Sequence, residues 1–154
     1  MKRVIFVASS GGHLTEILKF SKLFNEYEYL LVTELTKTNE KLKEKYNTQF
    51  LKYGPNKNKI KYLYTIIINI FRCLKIVIKF KPQTIISTGA QTGGIMCFVG
   101  KIFGAKVIYI ESLARTSTLS VTGKNVYKFA DKFYVQWESL VEKYKKVEYL
   151  GRLI

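Results

Sequence analysis

Residues 4–16 read Val-Ile-Phe-Val-Ala-Ser-Ser-Gly-Gly-His-Leu-Thr-Glu, an unbroken apolar run, then serines and glycines, then the opening of a helix. A run without alternation is what a strand covered on both faces looks like, and such strands belong to parallel sheets. The same pattern recurs along the chain. Strands are expected at Val4–Ala8, Tyr29–Thr33, Phe50–Tyr53, Thr84–Ser87, Val107–Ile110 and Phe133–Val135. Helices are expected at Leu14–Phe24, Lys59–Lys81, Gly94–Phe103, Ser120–Phe129 and Ser139–Lys145, with Ile17, Phe20 and Phe24 sharing one face of the first. Alternation of strand and helix gives the α/β class: a Rossmann-like parallel sheet with helices on both faces. No repeat, low-complexity tract or linker interrupts the 154 residues, so one domain is expected over 1–154.

Composition narrows the function. Hydrophobic residues at 47% and charged residues at 24% are globular values and exclude a disordered chain. One histidine, His13, and one aspartate, Asp131, exclude multi-histidine metal sites and paired-aspartate catalysis, and no metal site is expected. Cys73 and Cys97 form neither a disulfide framework nor a ligand spacing and read as small apolar fillers. Met1-Lys2-Arg3 leads directly into the first strand, so the reading is of a cytosolic, reduced protein without a signal peptide. The 26 Lys and Arg against 11 Asp and Glu leave +15, which calls for an anionic partner.

That charge is concentrated. Between Glu44 and Glu111 there is no acidic residue but there are eleven Lys or Arg. Within this segment lies Lys59–Lys81, KIKYLYTIIINIFRCLKIVIKFK. Its uncharged run Tyr62–Phe71 is about half the roughly 20 residues of a spanning helix. Arg72 and Lys75 at mid-bilayer would cost roughly 2.5–3.5 kcal/mol each, so spanning is not expected. On a helical wheel Lys61, Thr65, Asn69, Arg72, Lys75 and Lys79 gather on one side. Leu63, Ile66, Ile67, Ile70, Leu74, Val77 and Ile78 gather on the other, with Tyr62, Tyr64 and Phe71 at the edges. A basic face opposite a wide apolar face suits a helix lying in an anionic membrane surface. The plainer alternative is a crossover helix packed on the sheet. Nucleic acid is disfavoured because the aromatics sit with the aliphatics instead of punctuating a basic groove.

Three loops follow strands and would meet at the sheet's carboxyl edge, where open α/β sheets place ligands. The first is Ser9-Ser10-Gly11-Gly12-His13, whose glycines permit a tight turn and whose helix start favours an anion. It lacks the G-x-G-x-x-G spacing, so a dinucleotide reading is weak despite Glu34 at the end of the second strand. The second is Thr88-Gly89-Ala90-Gln91-Thr92-Gly93-Gly94, and the third runs from Glu111 and Ser112 to Arg115 and Thr118. His13 reads either as a general base or as a structural residue. Arg115 reads as an anion ligand or a surface ion pair, and Glu111 as a sugar-hydroxyl ligand or a loop brace.

SSGGHLTE (9–16), STGAQTGG (87–94), YIESLARTSTLSVTGKNVYKFADKFYVQW (109–137) and YLGRLI (149–154), in this order, resemble the Alg-fourteen-type membrane subunit of UDP-N-acetylglucosamine transferase. Bacterial relatives of the PssD, CpsF and EpsE kind share the pattern, and the glycine-glycine-histidine turn is remotely similar to MurG-type transferases. The MurG turn has a proline at or beside the position of Glu16. The resemblance implies the amino-terminal half of a split GT-B glycosyltransferase of capsule or exopolysaccharide synthesis. It implies inverting transfer from a UDP-sugar to a polyprenyl-diphosphate-linked glycan, without a metal or other cofactor. The UDP-sugar would be bound mainly by an Alg-thirteen-type, CpsG- or PssE-like partner, and this half alone would be inactive. His13 would be the base. Ser10, Gly11, Gly12, Gly89, Gln91, Thr92, Gly93, Gly94, Glu111, Ser112 and Arg115 would hold substrate. Eukaryotic relatives carry an amino-terminal spanning helix, so anchoring to the cytoplasmic membrane face would fall here to Lys59–Lys81. The partner would dock at Tyr149–Ile154. The competing functions are a non-catalytic tether that stimulates its partner, and a nucleotide- or nucleic-acid-binding regulator.

Overall fold

The computed structural model describes residues 1–54 and 58–153. Seven strands, β1 (Arg3–Ala8), β2 (Glu28–Glu34), β3 (Thr48–Leu51), β4 (Thr84–Gly89), β5 (Lys106–Ile110), β6 (Lys132–Val135) and β7 (Glu148–Tyr149), form one parallel sheet in the order β3-β2-β1-β4-β5-β6-β7. The helices are α1 (Gly12–Leu18), α2 (Leu42–Lys45), α3 (Lys59–Phe80), α4 (Gln91–Ile102) and α5 (Val121–Val126).

Apolar continuity in the strands now has its cause. In β1, Ile5 and Val7 face one side and join Cys73, Val77, Met96 and Val126 from α3, α4 and α5. Val4, Phe6 and Ala8 face the other and meet Leu14, Ile17 and Phe24. Each face buries its own set, so neither can be polar.

Several expected elements differ. Leu14–Phe24 is not one helix: α1 gives way at Lys19 to a 3-10 segment, Lys19–Glu26, which still brings Phe24 into the core. Ser139–Lys145 contains only a 3-10 turn at Glu138–Leu140, with turns beyond it. The third strand begins two residues earlier than expected and stops at Leu51. β7 and α2 are too short to leave a periodic signal.

Strand order reverses between β1 and β4, whose neighbours β2 and β5 lie to either side. A crevice opens at such a switch point, beyond the carboxyl ends of the strands. The Ser9 amide donates to the Gly89 carbonyl at 2.7 Å and fastens the two flanking loops together.

Candidate functional site

An open cleft of about 870 Å³ lies at this edge, and Ser10, His13, Gln91, Ser112 and Arg115 line it, drawn from all three loops. His13 is fixed by a reciprocal pair. Its Nδ1 lies 2.8 Å from the Thr88 carbonyl, while Thr88 Oγ1 donates to the His13 carbonyl at 2.7 Å. A carbonyl only accepts, so Nδ1 carries the proton and neutral imidazole keeps Nε2 as its free lone pair. That is the tautomer a general base on Nε2 needs. The histidine is thus held structurally and left chemically competent by the same bond.

Carboxylates shape the loops around it. Glu34, 8% exposed at the end of β2, takes the Ser10 amide at 3.3 Å and Ser10 Oγ at 3.1 Å on one oxygen. Thr92 Oγ1 donates to the other oxygen. Both oxygens are engaged by the chain's own hydroxyls, and neither is offered to a ribose as in dinucleotide sites. Glu16 accepts from Ser112 Oγ at 3.1 Å and from the Leu113 amide at 3.0 Å, tying the helix of His13 to the loop of Arg115. Arg115 is exposed, and neither ion pair found among the described residues involves it. Among the described residues its guanidinium is the sole lysine or arginine group lining the cleft.

Five expected substrate ligands bond to or pack against the chain itself. Glu111 is fully buried and accepts from the Ser112 amide at 3.0 Å, the Ser120 amide at 2.8 Å and Ser120 Oγ at 3.1 Å, so it braces the third loop. Thr92, 1% exposed, is spent on Glu34 and Ser9. Gly93 is buried where helix meets strand; a Cβ there would lie 2.2 Å from Ser87 Oγ. Gly94 is packed against Thr122 in the same way, at 2.6 Å. Gly89 is buried at φ +92°, a conformation glycine tolerates, and it turns the chain out of β4. Gly11 and Gly12 are exposed, with open space where a side chain would begin.

The sequence reading missed Tyr53, Tyr62, Ser120, Thr122 and Asn125 as cleft-lining residues. Tyr62 left a signal, because it stands at the boundary between the apolar and polar arcs of α3. Tyr53 closes the expected third strand and Ser120, Thr122 and Asn125 lie within the 109–137 stretch, but their residue types carry no ligand spacing.

The wheel of α3 is reversed from its expected use at two positions. Thr65 and Asn69, assigned to the polar face, are buried with Cys73, Ile76 and Val77 against the sheet. Asn69 repays its burial by bonding both the amide and the carbonyl of Lys52, each at 2.9 Å. Leu63, Ile67, Ile70, Phe71 and Ile78 are left exposed, Phe71 at 68%, while Ile66 and Leu74 are half-buried. Lys61, Arg72, Lys75 and Lys79 are exposed as well. The neighbouring α4 and its C-cap add Phe98, Ile102 and Phe103, at 57%, 66% and 50% exposed, and Phe103 shares a cavity with Ile78. Among the described residues no helix is long and apolar enough to cross a membrane.

A second apolar groove, about 300 Å³, is lined by Phe20, Leu23, Ile108, Tyr134, Leu150 and Leu153 on the opposite side of the sheet. The carboxyl-terminal segment seats there, with the Leu153 amide on Gln136 Oε1 at 2.7 Å and the Arg152 guanidinium 3.8 Å over Trp137. Ile154, part of the expected docking edge, lies outside the described residues.

A parallel sheet in this order, with a loop-lined cleft at its switch point, is the Rossmann-like architecture of GT-B glycosyltransferase halves. Among solved structures, Acinetobacter baumannii MurG superposes with a TM-score of 0.71 at 14% identity, over 88% of this chain and 41% of that one. A UDP-N-acetylglucosamine 2-epimerase from Rickettsia bellii gives 0.75 at 14% identity, over 99% and 45%. The chain therefore spans under half of either protein, and the likeness is one of fold. The model of the family described as "Oligosaccharide biosynthesis protein Alg14 like" matches residues 4–153, and the chain belongs to that family. Relatives named UDP-N-acetylglucosamine transferase subunit ALG14 include those of Mus musculus, 27% identical over 99% of this chain and 83% of its own, and Debaryomyces hansenii, 30% identical over 98% and 76%.

Proposed function

We propose that this chain is the acceptor-side subunit of a two-component glycosyltransferase that moves a sugar from a UDP-sugar to a polyprenyl-diphosphate-linked glycan, in capsule or exopolysaccharide synthesis. Family membership supports the coarse reading of a glycosyltransferase subunit, since its relatives carry that name. The observation that carries the finer one is His13, held on Thr88 at the switch-point cleft with Nε2 left as a base. The acceptor hydroxyl attacks the anomeric carbon with inversion, Nε2 takes its proton, and UDP leaves toward the donor-binding subunit. Arg115 offers its charge to the acceptor diphosphate, and Ser10, Gln91 and Ser112 offer hydrogen bonds.

The donor-binding partner, of the Alg-thirteen, CpsG or PssE kind, docks beside the carboxyl-terminal groove. The exposed apolar residues of α3 and α4, with Lys61, Arg72, Lys75 and Lys79 exposed on α3 beside them, rest on the cytoplasmic face of the membrane. The test is His13→Asn, whose amide still donates to the Thr88 carbonyl but is no base. In the reconstituted complex, kcat should fall roughly 10²–10⁴-fold, the usual share of general base catalysis, with assembly unchanged. Normal turnover would make the chain a tether whose partner carries all the chemistry.

A further inference from the structure

On the far side of α3 from its junction with α4 lies a groove of about 540 Å³ between the helix and the β2–β3 edge of the sheet. Arg72, Lys75 and Lys79 line one wall, spaced by three and four residues and therefore stacked along one stripe of the helix. Asn47 and Gln49 line the strand side, and the aromatic ring of Phe80 closes the apolar floor. Like charges at this spacing repel, and the ion pairs found among the described residues, Lys101–Asp131 and Lys132–Glu148, lie elsewhere. The sequence offers no acid to answer them between Glu44 and Glu111. The groove also stands apart from the cleft of His13, with which it shares no residue.

We propose that this groove is a site for the phosphate headgroup of an anionic lipid. Three cations line one pocket with the Gln49 amide opposite, while the Asn47 amide donates to the Tyr29 carbonyl, and this suits a phosphodiester with further polar substituents. The apolar floor suits the glycerol and the first carbons of an acyl chain. Adjacent on the same helix, Phe71 and Ile78 are exposed, so a lipid held here lies beside a surface able to enter the bilayer. This inference rests on the membrane reading given above but makes a narrower claim, that the charge forms a saturable site and not a diffuse field.

The experiment uses the full chain and two triple variants of equal charge: Arg72→Gln/Lys75→Gln/Lys79→Gln in the groove, and Lys59→Gln/Lys61→Gln/Lys106→Gln outside it. The first probe is vesicle flotation on phosphatidylcholine alone and on an equimolar mixture with phosphatidylglycerol. The second is titration with a short-chain phosphatidylglycerol below its micelle concentration, with inorganic phosphate in parallel. A Lys or Arg near an anionic surface contributes about 1 kcal/mol, or about fivefold. The groove variant should therefore lose about 10²-fold in mixed-vesicle affinity and all saturable binding of the short-chain lipid. The outer variant should keep the short-chain binding. Equal losses in both variants would overturn the site in favour of diffuse attraction while leaving membrane association standing. Inorganic phosphate binding as tightly as the lipid would overturn the lipid as ligand. Failure of the parent chain to float on either vesicle would instead remove the membrane reading, and absent short-chain binding as well would remove the site with it.

Discussion

Glu111→Gln separates a brace from a substrate ligand. In the native chain one carboxylate oxygen takes the Ser112 amide at 3.0 Å, and the other takes the Ser120 amide and hydroxyl at 2.8 and 3.1 Å. Glutamine fills the same volume but brings one oxygen and one NH2. Whichever way it turns, a backbone N–H that met an oxygen now meets a donor. The hydroxyl of Ser120 can rotate to accept, but the two amides cannot. At least one charge-assisted bond is lost, each worth about 1.5–3 kcal/mol, and a buried donor is left unpaired at a further 1–3. The expected loss is about 3–5 kcal/mol, a large part of the 5–15 kcal/mol of a typical domain. Urea denaturation followed by circular dichroism reads it directly. With a slope of about 2 kcal/mol/M the midpoint should fall by about 1.5–2.5 M. A fall of less than about 0.5 M would refute the brace and return Glu111 to the substrate.

Further outcomes follow from other contacts. Gly123→Ala places a Cβ 2.0 Å from Glu111 Oε2 and should cost about 1–3 kcal/mol in the same assay, with most of that cost gone in a Glu111→Ala background. Burial pushes the thiols of Cys73 and Cys97 up to about 12, so a disulfide reagent at pH 8 should leave both unmodified in the native chain and label both in urea. Asp131 is pushed up by its partial burial but more strongly down by the Lys101 ammonium and the Val107 amide, so its carboxyl titrates below the ordinary aspartate value. Its small stabilising contribution is thus present above that value and fades as the pH falls through the lower folded one; Asp131→Asn should flatten this acid limb in a series of thermal melts.

Much of the fold was legible because both faces of the sheet are covered. Val4–Ala8 and Val107–Ile110 are apolar throughout for that reason, and the glycines after β1 and β4 mark where the chain turns out of the sheet. Helix boundaries were less legible: nothing in the apolar spacing of 14–24 tells α from 3-10, since Phe24 reaches the core either way. Thr65 and Asn69 misled the wheel because a polar side chain can be buried when backbone satisfies it: Thr65 Oγ1 donates to the Lys61 carbonyl one turn back, and Asn69 bonds the Lys52 peptide, distant in sequence. The same holds at the cleft. Glycine and acid were readable as residue types, but whether Thr92 or Glu111 faces a ligand or another loop depends on partners brought together only by the fold.

Whether this chain is one half of a lipid-linked sugar transferase is read by purifying it under tag from gently solubilised membranes of its own cells and supplying a UDP-sugar with polyprenyl-diphosphate acceptor. The expected result is a stoichiometric companion of similar size, sugar transfer by the pair, and none by this chain alone. Recovery of the chain by itself from the soluble fraction, with no transfer in any fraction, would contradict it.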